Sequence, residues 1–345
     1  MNLLESKPYK VLYDIIRKNK TLNYLAHKVM QSEIIRKFPP YMAIYNKMVQ
    51  TKAQKYLKVP DVLEFEVSNK CNARCIMCPP ELHLGEDFIP HDLFMKITQE
   101  GYELGIRKMI ITGGEPLLDK QIYEKISYAK KLGYTYVHMF TNGSPLTEKN
   151  QEKLLATGLD SLTISFDSPI KEEYEKIRIN LKFEQVVKNI KDFYTLKKNK
   201  KLLKPLIRLN LTTLPENKHG RKEFVRLFKN YADICEIIDA HNWAESKEIK
   251  VSAEELVKSR EYTQLSRDPC HMLFLKACVT PEGYLRKCSI DFANHAFIAD
   301  LNKISLKEAL FNQKLLDIKE NHLSRNFCEL GCINCVHRES WWVDY

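Results

Sequence analysis

The spacing of apolar and polar positions divides the chain into three stretches. Residues 1–57 carry a helical period throughout. Thr21 is placed to cap a helix whose Leu22, Leu25, Ala26, Val29, Met30 and Ile34 fall on one face at i, i+3, i+4 spacing. Pro39-Pro40 ends it. A third helix is expected beyond, with Tyr41, Tyr45, Met48, Val49, Lys52 and Tyr56 near one face, and Pro60 marks a boundary. From residue 61 short β-branched runs alternate with helical stretches. The predicted strands are 62–67, 108–112, 134–140, 161–166, 205–212 and 234–240. The predicted helices are 91–104, 120–132, 147–157, 171–197 and 221–231. Such alternation calls for a parallel sheet with right-handed crossovers, an α/β fold. Six units fall short of the eight that close a full barrel, so an open, partial (β/α)6 barrel of TIM-like kind is expected, with its site at the carboxyl ends of the strands. From about residue 244 the alternation stops. The expected organisation is a helical extension at 1–58, the barrel at 59–243 and a small cysteine-rich domain at 244–345.

Composition and charge refine this picture. With 345 residues, 44% apolar and 28% charged, the chain has an ordinary globular balance. No apolar run reaches the ~18–20 residues that span a bilayer, and the start MNLLESKPYK lacks a signal-peptide stretch. A cytoplasmic protein is expected. Of the formal charge of +10, a surplus of nine lies in residues 1–60, which hold twelve basic and three acidic side chains. That segment is either a solvated helical face or a contact for an anionic surface, which adds peripheral membrane attachment to the expectations.

The ten cysteines read as metal ligands or reactive thiols in a cytoplasmic setting. Cys71, Cys75 and Cys78 follow the first strand directly, spaced C-x3-C-x2-C. Three thiolates at that spacing suit one corner of an iron–sulfur cube and leave one iron open. Gly113-Gly114-Glu115-Pro116 follows the second strand; its glycines admit close backbone approach to a ligand, and Glu115 can accept hydrogen bonds from an ammonium group. Thr141-Asn142-Gly143 ends the third strand in a tight turn. Ser165 and Asp167 end the fourth, and strand alternation points both to one face, where a hydroxyl and a carboxylate suit a ribose diol. In the tail, Cys270, Gly283 and Cys288 are spaced C-x12-G-x4-C, and Cys328, Cys332 and Cys335 follow in CELGCINC.

On these residues the chain resembles the radical S-adenosylmethionine (SAM) superfamily, over 61–180 chiefly, and its tail resembles the SPASM and Twitch extensions. The resemblance implies a 4Fe–4S cluster on Cys71, Cys75 and Cys78 whose open iron is chelated by SAM. It implies SAM contacts at Gly113, Gly114, Glu115 and Pro116 for the methionyl amine, at Thr141, Asn142 and Gly143, at Ser165 and Asp167 for the ribose, and at Arg178 for the carboxylate. Met77 stands where the family often has an aromatic residue near the adenine. It further implies one auxiliary 4Fe–4S cluster on Cys270, Cys288, Cys332 and Cys335, with Cys328 and Cys278 as alternates. A structural zinc site is the other reading of that tail.

The chemistry implied is one-electron cleavage of SAM, fed by a donor such as flavodoxin or ferredoxin, to a 5′-deoxyadenosyl radical that abstracts hydrogen from a substrate C–H bond. An auxiliary cluster that takes a second electron gives dehydrogenation, the logic of Twitch-type aminocyclitol dehydrogenases. A thiol that returns hydrogen gives epimerisation, and Cys235, alone in the sixth predicted strand, is the candidate donor. Arg208, Asn210, Asp239, His241 and Trp243 at strand ends are candidates for a polar substrate pocket. The leading expectation is an oxidoreductase acting on a carbohydrate-like or other small polar molecule. The alternatives are a maturase that crosslinks or epimerises a ribosomally made peptide, and a non-catalytic metal- or nucleic-acid-binding protein. Nucleic acid is not the favoured partner, because the GGEP, TNG and Ser165/Asp167 motifs have no use in a zinc module.

Overall fold

The computed structural model describes residues 39–79, 85, 87–240, 269–291, 297–327, 332 and 335. The expectations for the Thr21 helix and the rest of 1–38, for Cys328, His241 and Trp243, and for the side chain of Asp239 lie outside the described residues. The first described helix, α1 (Pro39–Lys55), begins at the proline pair that ends the preceding pattern. Proline fits the first turn because its missing N–H has no helical acceptor there. α1 buries Val49 and Ala53 in the main core.

All six predicted barrel strands form: β1 (Val62–Glu66), β2 (Lys108–Thr112), β3 (Tyr136–Thr141), β4 (Ser161–Ser165), β5 (Leu206–Thr213) and β6 (Ile234–Asp239). They pair in parallel in chain order. Between them run α2 (His91–Glu103), α3 (Ile122–Leu132), α4 (Glu148–Ala156), α5 (Lys171–Ile177), α6 (Phe183–Asn199) and α7 (Arg221–Phe228). The core lies between sheet and helices. α2 buries Leu93, Phe94, Ile97 and Gly101, an i, i+3/i+4 stripe, and Phe94 meets Phe65 of β1 at 4.3 Å between ring centroids. Phe65, Met109, Met139, Leu162 and Leu209 thus face the helices, and their alternate neighbours face the barrel interior.

The structure departs from the sequence pattern in two places. The helix expected over 171–197 is broken. α5 stops at Ile177, and Arg178–Ile179 pair antiparallel with Arg74–Cys75 of the cysteine loop, Arg178 opposite Cys75. Ile76 N–H donates to Ile177 O at 3.0 Å. Asn180 then turns with φ 75°, a left-handed conformation that its short side chain tolerates. Helical periodicity on both sides hid this break. The second departure is in the tail. α8 (His271–Leu275) leads into β7 (Lys276–Val279), which pairs in parallel with β1. β8 (Tyr284–Arg286) and β9 (Phe297–Asp300) continue antiparallel. The described sheet therefore runs β9-β8-β7-β1-β2-β3-β4-β5-β6. Gly283, at φ 89°, turns the β7–β8 hairpin; a Cβ there would sit 2.6 Å from Leu93 of α2. α9 (Leu306–Leu310) and α10 (Gln313–Leu323) close the described tail. Among the described residues no helix is long and apolar enough to cross a membrane.

Candidate active site

The loop after β1 carries Cys71, Cys75 and Cys78, and hydrogen-bond donors are aimed at its sulfurs. Ala73 N–H donates to Cys71 Sγ at 3.5 Å and Asn142 Nδ2 reaches the same sulfur at 4.0 Å. Arg178 Nη1 donates to Cys75 Sγ at 3.7 Å. The bond with Cys78 and the Arg178 charge bring the Cys75 thiol down to about 7 against the effect of burial. Burial pushes Cys71 up to about 11. Among the described residues no three His, Cys, Asp or Glu side chains close tightly on a single metal ion. Three thiols, two of them with donors directed at the sulfur, are a donor set that fits an iron–sulfur cluster, whose thiolates are stabilised by such bonds.

Two turns are stitched onto this loop. Glu115 N–H donates to Lys70 O at 2.8 Å, and the glycines make that contact fit. A Cβ on Gly114 would lie 2.1 Å from Lys70 O, and one on Gly113, at φ 89°, would lie 2.6 Å from Ser68 O. In this structure the glycines thus let the second turn approach the cysteine-loop backbone closely. Pro116 opens a single 3-10 turn that Glu115 caps through Leu117 N–H. The Glu115 carboxylate is wholly buried and spent inside the protein: Oε1 accepts from Thr141 Oγ1 at 2.7 Å and Oε2 from Asn142 N–H at 2.7 Å. Burial raises its pKa to about 7, although these donors oppose the rise. Asn142 Nδ2 also donates to Asn72 Oδ1 at 2.8 Å, and Asn72 donates to Ser144 Oγ at 2.8 Å. Gly143, at φ 76°, lets the turn end where Asn189 Nδ2 can donate to its carbonyl at 2.9 Å. Met77 is buried in the main core.

The fourth-strand pair is divided. β4 ends at Ser165, which stays partly exposed on the interior face. Asp167 lies beyond the strand, so alternation no longer governs it. Its carboxylate is wholly buried: Oδ2 accepts from Arg178 Nε at 2.6 Å and Oδ1 from Thr212 N–H at 2.8 Å. Of the pair expected to meet a ribose diol, Ser165 therefore faces the interior and Asp167 is turned into the protein. Arg178 is committed to Asp167 and Cys75.

The interior face carries charge that periodicity alone marks only as polar. Glu64 of β1 pairs with Lys276 of β7 at 2.9 Å, Glu66 pairs with Arg286 of β8, and Arg208 of β5 pairs with Glu236 of β6. His138 Nε2 bonds Thr163 Oγ1 at 2.8 Å, and its ring stacks on Phe140. Burial, then the charges of Arg208 and Lys276, depress His138 to about 3, so its imidazole is neutral at physiological pH. Asn210 Oδ1 is buried without a partner among the described residues.

Residues 65–231 match the family model described as the Radical SAM superfamily. These residues form a radical SAM domain. A probable GTP 3′,8-cyclase of Saccharolobus islandicus (strain M.14.25 / Kamchatka #1) is 26% identical over 283 residues, 77% of this chain and 89% of that protein. The GTP 3′,8-cyclase of Petrotoga mobilis is 32% identical over 141 residues, 40% of this chain and 44% of its own. Among solved structures, Streptococcus suis SuiB bound to precursor peptide SuiA is similar with TM-score 0.64 at 13% identity, covering 95% of this chain and 83% of that one. BtrN in complex with AdoMet and 2-DOIA is similar with TM-score 0.52 at 16% identity, covering 81% and 93%. The structural likenesses establish the fold. The radical SAM domain uses a 4Fe–4S cluster and SAM, and the thiols of Cys71, Cys75 and Cys78 suit that cluster.

Outside the radical SAM domain, the tail cysteines gather near Cys278 of β7. Cys270 caps α8, Cys288 follows β8, and Cys332 and Cys335 share a turn, Cys335 N–H donating to Cys332 O at 3.4 Å. Cys270, Cys288 and Cys335 pack with Met272 and Ile290. Burial pushes Cys270 up to about 12 and Cys288 well up, and the charges of neighbouring cysteines add to both. Cys278 is buried on β7 opposite Glu64. Cys235 is set apart: it registers with Leu209, on the face that packs the helices rather than the barrel interior. Sequence reasoning missed Asn72, Glu64, Glu66, His138 and Lys276. The VLEFE alternation of β1 was the one signal that could have found the two glutamates.

Proposed function

We propose that this chain oxidises or epimerises a small, polar, carbohydrate-like molecule, with Cys270, Cys288, Cys332 and Cys335 holding an auxiliary 4Fe–4S cluster. One observation carries the reading: those four tail cysteines gather against β7, the strand paired to β1 that bears Cys71, Cys75 and Cys78 at its end. Bound SAM and its cluster supply a hydrogen-abstracting 5′-deoxyadenosyl radical, and the tail cluster would supply a one-electron acceptor within the same sheet. The chain's own residues bind and orient. Ser165, Asn210 and neutral His138 offer hydrogen-bond partners to hydroxyls on the interior face. Lys276, Arg286 and Arg208 each stand against a carboxylate, a lining matched in charge to a neutral or zwitterionic substrate. The three-part division at 58 and 243, cytoplasmic location, membrane-surface contact through the basic N-terminus and supply of electrons by a flavodoxin or ferredoxin belong to this reading as well.

The relatives favour a second reading, action on a nucleotide such as GTP. Both readings are tested by anaerobic incubation with SAM, a reductant and either amino sugars and cyclitols or GTP, followed through 5′-deoxyadenosine. Substrate-dependent 5′-deoxyadenosine and a product two hydrogens lighter support oxidation of a polyol. Turnover with GTP alone replaces it with the nucleotide reading. An iron count belongs beside it: about four irons per chain in a Cys71/Cys75/Cys78→Ala variant support the auxiliary cluster, and an iron-free variant excludes it.

A further inference from the structure

We infer that Arg178 and Asp167 are a charge pair that sets how readily the cluster on Cys71, Cys75 and Cys78 accepts an electron, with Arg178 acting on a cluster thiolate instead of on SAM's carboxylate. The guanidinium is pinned on three sides. Its Nε and Nη2 both lie 2.6 Å from Asp167 Oδ2, and its Nη1 lies 3.7 Å from Cys75 Sγ. Its backbone is registered directly opposite Cys75 in the two-residue ladder that interrupts the expected helix. Asp167 is held in turn by Thr212 N–H at 2.8 Å, and its carbonyl takes Asn217 Nδ2 at 2.6 Å. Swinging Arg178 toward a bound ligand would strand a carboxylate that has no exposure to water, a costly change.

The pair is a fixed dipole with its positive end at the sulfur. Both charges are buried, so solvent screens them little. A donor to a cluster thiolate, and a positive charge beside it, favour the reduced cluster. Asp167 opposes that effect from the far side of the guanidinium. The two residues therefore act on the potential with opposite sign. Both are positioning residues in this reading, which sets aside the ribose and carboxylate contacts that the family resemblance implies for them, because Asp167 and Arg178 are held by each other, by Thr212 and by Cys75.

The test measures the SAM-free reduction potential of the reconstituted protein by EPR-monitored potentiometry, read on the signal that later SAM addition perturbs. Equilibrium dialysis gives SAM affinity on the same samples. Arg178→Gln is expected to lower the reduced-to-oxidised ratio at fixed potential about tenfold, which is 59 mV for one electron. Asp167→Asn is expected to raise it. Arg178→Lys, which keeps the charge and loses the fork, falls between wild type and Arg178→Gln. An unchanged potential in Arg178→Gln together with a tenfold loss of SAM affinity overturns the proposal in favour of a carboxylate contact. Shifts of the same sign in Arg178→Gln and Asp167→Asn overturn it too, because loosened packing and not charge would then be acting. If Arg178→Gln fails to load iron, the signs for Asp167→Asn and Arg178→Lys decide.

Discussion

The two cysteine groups solve the same problem differently. The first sits in eight consecutive residues after β1 and is held by polar bonds: Asn142 reaches its sulfurs from the end of β3 and Arg178 from the end of α5, and Glu115 ties both turns to the loop. The second is assembled from the start of α8, the end of β8 and the segment after α10, around Met272 and Ile290. Thiols must lose their protons to bind iron. Burial holds thiols of both groups up, Cys71 at about 11 and Cys270 at about 12, while the bond with Cys78 and the Arg178 charge bring Cys75 down to about 7. A site that must bind a cofactor and pass an electron to it is polar and partly open. The second group is packed instead against apolar Met272 and Ile290.

The largest effect separates the groups by function. Cys75→Ala should reduce SAM cleavage to background while the tail keeps its iron, and Cys332→Ala with Cys335→Ala should leave reductive SAM cleavage measurable while substrate oxidation is lost. Both are read by 5′-deoxyadenosine and iron content. Loss of SAM cleavage in the tail variant would erase the distinction. Next in size is Gly114→Ala. Its Cβ would enter the space of Lys70 O at 2.1 Å, and backbone cannot retract as a side chain can. The expected cost is about 2–3 kcal/mol in denaturant unfolding, with weakened SAM binding. The matching change at Gly105, where a Cβ meets nothing within 4 Å, tests instead the left-handed backbone alone and should leave SAM binding intact.

The same contrast explains what could be read in the sequence. All six barrel strands were legible as short, β-branched or apolar runs set between helical stretches, and SLTIS of β4 shows clean alternation as well. The first cysteine group was legible because it is local. Short β7 and β8 were not, since KACV and YLR are too brief to show a period and owe their strand state to pairing with β1. The break at Arg178 was invisible for a related reason. There Arg178 pairs with Cys75 of the distant cysteine loop and with Asp167, eleven positions earlier, and no local pattern records either contact. Glu115 and Asp167 were recognised as functional types, yet their present hydrogen bonds lie within the protein, which spacing cannot reveal.

Between the two groups lies the charged interior, and His138 probes it. An unfolded His binds a proton near pH 6.5, and the folded one does not until about 3. The unfolded state therefore binds more protons throughout that window, so this residue's contribution to stability falls as pH drops from 6.5 toward 3. At pH 5 the loss is about 2 kcal/mol. His138→Gln should remove that slope and leave stability at pH 7.5 much less changed, as measured by urea unfolding at both values. An unaltered slope would mean that water or a counter-charge reaches the interior.

The smallest effect asks whether the two groups belong to one folding unit. Ser305 caps α9 in a reciprocal box with Glu308, its Oγ accepting from Glu308 N–H at 3.2 Å and Glu308 Oε2 accepting from Ser305 N–H at 2.9 Å. The helix docks on the barrel at the same point, where Leu306 N–H donates to Glu100 of α2 at 2.7 Å. Ser305→Ala should cost about 1 kcal/mol, a loss confined to the tail. Because β7 is a full member of the sheet beside β1, that loss should move a single unfolding transition seen alike by tail and barrel probes. Two transitions, only one of them shifted, would show that the tail unfolds by itself. The second cysteine group would then be an appendage, and the parallel pairing with β1 too weak to couple it to the barrel.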